Sequence, residues 1–337
     1  MGDLLALLAA VCWSAANVTI ARGAGGKGDD NGAFLSILLT AALAALVWLI
    51  GGLSGVWLAP VAAGVFWFAV AGALTIFIGR VFFHSSIQWL GAIRGSSVKR
   101  LAPFFSVLLG VLLLGEPLSW TVVGGMSLIF AGFGVLIQES MASGDRSGRL
   151  PRRVPSIKAL KVWTNPGLAY GAISALAYAT GNIARKYGLL EMPDPAFGAM
   201  MGSLVGAALF LLTSVFAGDY RHAVRSTFTR FNPWLFVAGL MASAGQLLFF
   251  VAIDYSTVSR AALIASSEVF MTMGLTATVF RGREKLSRAA MFAALLGVLG
   301  TMAIMTEGTD ARQAHNGPAG TGIDAPLAYS PGVSPLR

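Results

Sequence analysis

Residues 249–287 read FFVAIDYSTVSRAALIASSEVFMTMGLTATVFRGREKLS, and residues 83–119 read FHSSIQWLGAIRGSSVKRLAPFFSVLLGVLLLGEPLS. The two stretches match in order. An offset of 166 aligns Phe83 with Phe249, Ile87 with Ile253, Arg94 with Arg260 and Arg80 with Gln246. After a two-residue insertion the offset is 168, which aligns Glu116 with Glu284 and Leu118-Ser119 with Leu286-Ser287. A repeat inside an apolar chain is the signature of a transporter built from two related halves with its site between them.

Composition sets the solvent. The chain is 56% hydrophobic and 12% charged, with mean hydropathy +0.73. A soluble domain carries about 25% charged residues. Apolar runs near 20 residues recur along the whole length, each able to cross roughly 30 Å of hydrocarbon. The expected fold class is therefore an all-α integral membrane protein. Ten spans are expected at about 4–21, 33–51, 61–87, 94–114, 119–138, 167–186, 196–217, 233–253, 261–280 and 289–306, punctuated by glycine and proline. Residues 1–138 make one five-helix repeat and 167–306 the other. The basic stretch 139–166 links them, and 307–337 forms a Gly-, Pro- and Ala-rich tail expected to be disordered.

Five spans per half is an odd number, so the second half enters the membrane inverted relative to the first. Sixteen of the 24 Lys and Arg residues fall in loops on the linker's side, and five on the opposite side, Arg185 and Lys186 among them. The positive-inside rule then places the linker in the cytoplasm and both termini outside. The first run follows only Met1-Gly2-Asp3, without a basic segment, and is read as an uncleaved helix. The net charge of +9 therefore serves orientation, and no nucleic-acid partner is expected. Cys12 is the only cysteine, which excludes an internal disulfide.

Segment 82–137 resembles the EamA-type repeat of the drug/metabolite transporter superfamily. The resemblance rests on Arg94-Gly95-Ser96, Ala102-Pro103-Phe104-Phe105, Leu114-Gly115-Glu116 and the Gly-rich run from Gly124 to Leu136. The second copy has Arg260-Ala261-Ala262, Glu268-Val269-Phe270, Gly282-Arg283-Glu284 and Gly297 to Ile304. Each half also opens alike, with Trp13-Ser14 to Asn17 and Tyr178 to Asn182. Neither copy keeps both members of the family's Glu-Pro pair. The resemblance implies a ten-helix secondary permease of the inner (plasma) membrane with a central cavity. It also implies cytoplasmic termini, opposite to the charge count.

Several residues could carry chemistry. If Lys99 and Arg100 lay outside the membrane, only Leu101 to Leu114 would remain, about 21 Å of helix and too short for the core. Both are therefore read within their span or at its shallow end, where they could snorkel, line a cavity or pair in a salt bridge. Arg80 lies deep in the third span with His84 one turn on, on the same face. Together these cations give the interior a positive bias suited to a carboxylate or phosphate, which makes an organic anion a candidate substrate. Glu268, in the ninth span, could take up a proton for coupling or pair with Lys99 or Arg100. Trp13 with Asn17, and Tyr178 with Asn182, place an aromatic ring and an amide on one helix face, and Gln246, which aligns with Arg80, lies mid-span in the eighth span. Such pairs could hold a substrate or bond helices together. Glu116 and Glu284 read as structural loop residues.

Nothing points to catalysis, a cofactor or a metal. Gly23 to Gly28 with Lys27 imitates a phosphate loop, but Ala21 stands five before Gly26 and Gly28 replaces the required Ser or Thr. The expected function is transport of a small-molecule substrate by alternating access. The alternatives are a flippase for a lipid-linked substrate and a non-transporting sensor or assembly protein.

Overall fold

The computed structural model describes residues 1–23, 32–53, 59–80, 82, 101–144, 166–279 and 288–315. Among these the chain is helical, without a strand. The helices are α1 (Gly2–Gly23), α2 (Ala33–Leu53), α3 (Ala62–Gly72), α4 (Ala102–Leu114), α5 (Trp120–Gly144), α6 (Pro166–Glu191), α7 (Pro195–Phe216), α8 (Gly218–Thr229), α9 (Pro233–Tyr255), α10 (Val258–Ala265), α11 (Glu268–Val279) and α12 (Arg288–His315). A π-helical segment, Ala73–Gly79, continues α3. Among the described residues five stretches are long and apolar enough to cross a membrane: Gly2–Ile20, Ala33–Leu53, Ala62–Gly79, Pro195–Phe216 and Pro233–Tyr255.

Local chemistry explains the helix ends. Pro195 and Pro233 open α7 and α9 where a missing N–H costs nothing. Before them, the Asp194 side chain accepts from Phe197 N and that of Asn232 from Trp234 N. Thr257 caps α10 through Arg260 N. Gly115, at φ +63°, ends α4 in the left-handed conformation that favours glycine.

Packing follows membrane rules. Helix interfaces are built from small residues: Ala6, Ala9, Ala44, Ala175, Ala179, Ala252 and Ala261 are fully buried. Large side chains such as Leu53, Trp120 and Phe216 point outward, where a soluble protein would not tolerate so many and lipid does. A methyl group added to Gly72 would strike the Gly202 backbone, so α3 and α7 touch main chain to main chain.

The packing is reciprocal between halves. α1 packs on α9 as α3 packs on α6, α2 on α9 as α7 on α3, and α1 on α11 as α6 on α4. α2 meets α7, α5 meets α12 and α4 meets α10. α1 starts beside Ser256, because Gly2 abuts its side chain. α6 approaches its end at the same level, because Lys186 Nζ donates to Ser256 O (3.2 Å). Equivalent first helices therefore run in opposite directions, as an inverted repeat requires.

Four features depart from the sequence reading. Residues 218–229, expected as loop, form α8. It follows α7 after one residue and keeps no side chain fully buried. α5 runs to Gly144 and α12 to His315, beyond the expected 138 and 306. The ninth apolar run breaks at Ser266-Ser267 into α10 and α11. Helix α6 continues past its expected end at 186 to Glu191, which draws Arg185 and Lys186 out of the loop count.

Candidate functional site

Arg185 is the centre of the buried polar chemistry. It is only 5% exposed. Helix α6 carries it between the π-helical segment and α9. Nη2 donates to Thr75 Oγ1 (3.0 Å) and Nη1 to Asn182 Oδ1 (3.1 Å), one turn back on the same helix. With the Gln246 amide oxygen facing the guanidinium, that oxygen accepts from Nη2 at 2.6 Å and Nη1 at 3.2 Å. The guanidinium carbon stands 4.7 Å from the centre of the Phe250 ring, in cation–π range. Every one of these partners is neutral. Among the described residues no carboxylate lies within ion-pair distance of Arg185, and its Nε has no partner.

This is an expensive arrangement. An Arg at mid-helix costs roughly 2.5–3.5 kcal/mol on insertion scales. Neutral dipoles return part of that and leave the charge itself uncompensated. The backbone helps to shape the place: Thr75 lies in the π-helical segment, a local widening of the helix that recurs at functional sites. Thr75 Oγ1 also donates to Ala71 O (2.8 Å), which fixes its lone pairs towards Arg185.

Arg185, Thr75, Gln246 and Phe250 line a crevice with Gly72, Ile76, Ala199, Gly202 and Ser203. Ser203 is 1% exposed, and its Oγ has no hydrogen-bond partner. The crevice leaves no room even for a water molecule, far below the roughly 300–1,000 Å³ of small-molecule sites. The halves are closed on it in this conformation.

A second polar pair lies at the break between α10 and α11. Asn17 Nδ2 donates to Glu268 Oε1 (2.6 Å), and Ser14 Oγ reaches Glu268 O (2.9 Å). Glu268 therefore begins α11 with its side chain tied to α1. Trp13 packs against Phe249 at 5.2 Å between ring centres and lies on Gly245. Tyr178 lies on Gly79 in the same way. Gly79 and Gly245 are 166 apart, so the aromatic of each half covers the equivalent glycine of the other.

Not all candidates converge. Arg80 Nη1 donates to Ala33 O (3.0 Å) and Ser36 Oγ (3.2 Å), tying the end of the third span to the first turn of α2. His84, Lys99, Arg100, Arg94 and Glu284 lie outside the described residues. Arg185, Thr75, Ser203 and Phe250 were not singled out from sequence. Arg185 had been counted as a loop cation, because Arg185-Lys186 follows the apolar run. Leu189-Leu190 and the delay of proline until Pro193 were the signal that the helix continues.

The level at which α1 starts is closed by three polar contacts. Buried Glu116 accepts from Val258 N (2.6 Å), Ser259 N (2.9 Å) and Ser259 Oγ, capping α10 from the other half. Arg260 Nε and Nη2 donate to the two Asp3 oxygens at 2.8 and 2.7 Å. Lys186 Nζ donates to Ile253 O (2.7 Å) and Ser256 O (3.2 Å), at the C-terminal end of α9.

A family model described as the EamA-like transporter family matches residues 1–138 and 165–306. The chain belongs to that family. It is a multi-pass membrane protein of the transporter type, and the resemblance seen in the two motif copies is confirmed. An uncharacterised protein of Pseudomonas aeruginosa, PA1977, is 35% identical over 141 residues, which cover 39% of this chain and 46% of that protein. The match thus spans about half the length of that relative. A solved crystal structure superposes with a TM-score of 0.61 at 17% identity, covering 92% of this chain and 98% of that one. At that identity the likeness speaks for the fold alone.

Proposed function

We propose that this EamA-like protein is a secondary transporter moving a small metabolite across the inner membrane by alternating access, as ten spans in two inverted halves. One observation carries the reading: a constellation of buried polar groups, Arg185, Thr75, Asn182 and Gln246, lies deep in the helix bundle where the first half's third span meets the second half. Such groups are costly in a membrane and mark substrate paths. The crevice is too small for a metabolite as it stands, so binding requires the halves to part. Three features suit that motion: the π-helical segment, the break at Ser266-Ser267 and the bare Gly72–Gly202 contact. Trp13, Asn17, Tyr178, Asn182, Gln246 and Glu268 are the proposed lining, with Arg80, His84, Lys99 and Arg100 proposed to lend positive charge to the approach rather than to the crevice itself. Glu268 is the candidate for proton coupling.

The flippase reading would need the crevice to open sideways to lipid. The sensor reading would need the polar groups to stay permanently closed on one another. Proteoliposomes separate these. Saturable, protein-dependent uptake from a metabolite panel, enhanced by an imposed pH gradient, supports transport. Movement of a fluorescent lipid alone supports the flippase. Neither activity, in protein that inserts normally, supports the sensor.

A further inference from the structure

We infer that the substrate bears a single carboxylate and that Arg185 is the residue that binds it, with Ser203 supplying a further hydrogen bond. The inference rests on the transport reading and names the substrate class for the same site.

Two observations lead there. Arg185 is almost wholly buried, yet all its partners are neutral. A buried cation without a counter-charge is stabilised most by an anion that arrives from outside. Two donors on the same crevice are left over: Arg185 Nε and Ser203 Oγ. Buried polar groups are nearly always satisfied, and each exception asks for an explanation. A ligand oxygen supplies one here.

The crevice also selects among anions. Among the described residues it holds one guanidinium, so a single negative charge neutralises it, whereas a phosphate near −2 would stay half compensated. Guanidinium and carboxylate match as planar forks; Nε is the free donor, and the second bond of the fork requires Gln246 to give up Nη2, which it shares with Thr75. Thr75 and Gln246 are engaged with Arg185, and the other side-chain walls, Ile76, Ala199 and Phe250, are apolar, so the body next to the carboxylate is apolar too. A small monocarboxylic acid matches these groups once the halves part; a sugar phosphate and a quaternary amine do not.

The test uses the purified full-length protein in detergent. Thermal unfolding is followed against acetate, butyrate and benzoate, against inorganic phosphate, and against choline, each at constant ionic strength. The carboxylates should raise the midpoint saturably, with benzoate strongest. Arg185→Gln should weaken the apparent affinity tenfold or more, Arg185→Lys should keep part of it, and Ser203→Ala should weaken it several-fold. The exposed Arg225→Gln on α8 should match the wild type. A response to phosphate above the carboxylates, a response to choline, or none to any carboxylate in the wild type overturns the assignment, whether or not the variants fold. Flux in proteoliposomes separates this from the broader reading. Arg185-dependent benzoate binding without flux of any solute leaves the anion site standing and removes transport. Flux of a neutral or cationic solute that survives Arg185→Gln leaves transport standing and removes the anion site.

Discussion

Removing the Glu116 carboxylate should loosen one end of the molecule by a calculable amount. Glu116 is 8% exposed and accepts three hydrogen bonds from the first turn of α10. Glu116→Ala leaves two backbone N–H groups and a hydroxyl without an acceptor. A buried donor left unsatisfied costs about 1–3 kcal/mol. Water entering from the nearby helix ends relieves part of this, so a total of about 3–5 kcal/mol is expected. Glu116→Gln keeps one carbonyl oxygen and loses the charge and one acceptor. A charge-assisted bond is worth about 1.5–3 kcal/mol, and the favourable placement at a helix N-terminus about 0.3–1 more. The Gln variant should therefore fall between wild type and Ala, at about 2–3 kcal/mol. Thermal unfolding in detergent measures the order, and hydrogen exchange at Val258 and Ser259 locates it. Equal stability of wild type and Ala, or unchanged exchange at those two amides, would refute the reasoning.

Two further predictions follow from packing and charge. Gly72→Ala should destabilise by about 1–3 kcal/mol, as overpacking does, because the new methyl meets Gly202 backbone that cannot rotate away. Gly202→Ala, whose nearest neighbour would stand 3.4 Å off, should be near neutral, and thermal unfolding of the pair decides. Impermeant thiol labelling of Ser147→Cys and Ser330→Cys in intact cells should find the linker protected and the tail reactive; the reverse result restores the topology implied by family resemblance.

Five spans were legible because apolar runs and their proline and glycine punctuation are local properties: Pro195 and Pro233 each mark a helix start, and Gly115 a helix end, that the structure keeps. The reciprocal packing followed from the 166-residue offset, as the Gly79 and Gly245 contacts show. The site was less legible. Arg185 ends an apolar run, and a charge there reads as a boundary unless the helix is known to continue through Leu189-Leu190. The π-helical segment at Ala73–Gly79 contains no proline and is apolar but for Thr75, so nothing in ALTIFIG distinguishes it from α-helix. Helix α8 was hidden because its amphipathic pattern is short and basic, which also describes a loop. Arg80 looked like a cavity residue from its depth alone; its tie to Ala33 O and Ser36 depends on where α2 packs.

Access to the buried site is the most direct measure of the central claim. In a Cys12→Ser background, Asn182→Cys places a thiol beside Arg185, and the protein is reconstituted in oriented, sealed vesicles. A small membrane-impermeant thiol reagent is applied to the outside in one preparation and trapped inside in another, while a pH-sensitive dye reports whether the vesicles hold a proton gradient. Alternating access predicts labelling from both faces in vesicles that keep the gradient. Labelling from neither face, or from both only with collapse of the gradient, would contradict it.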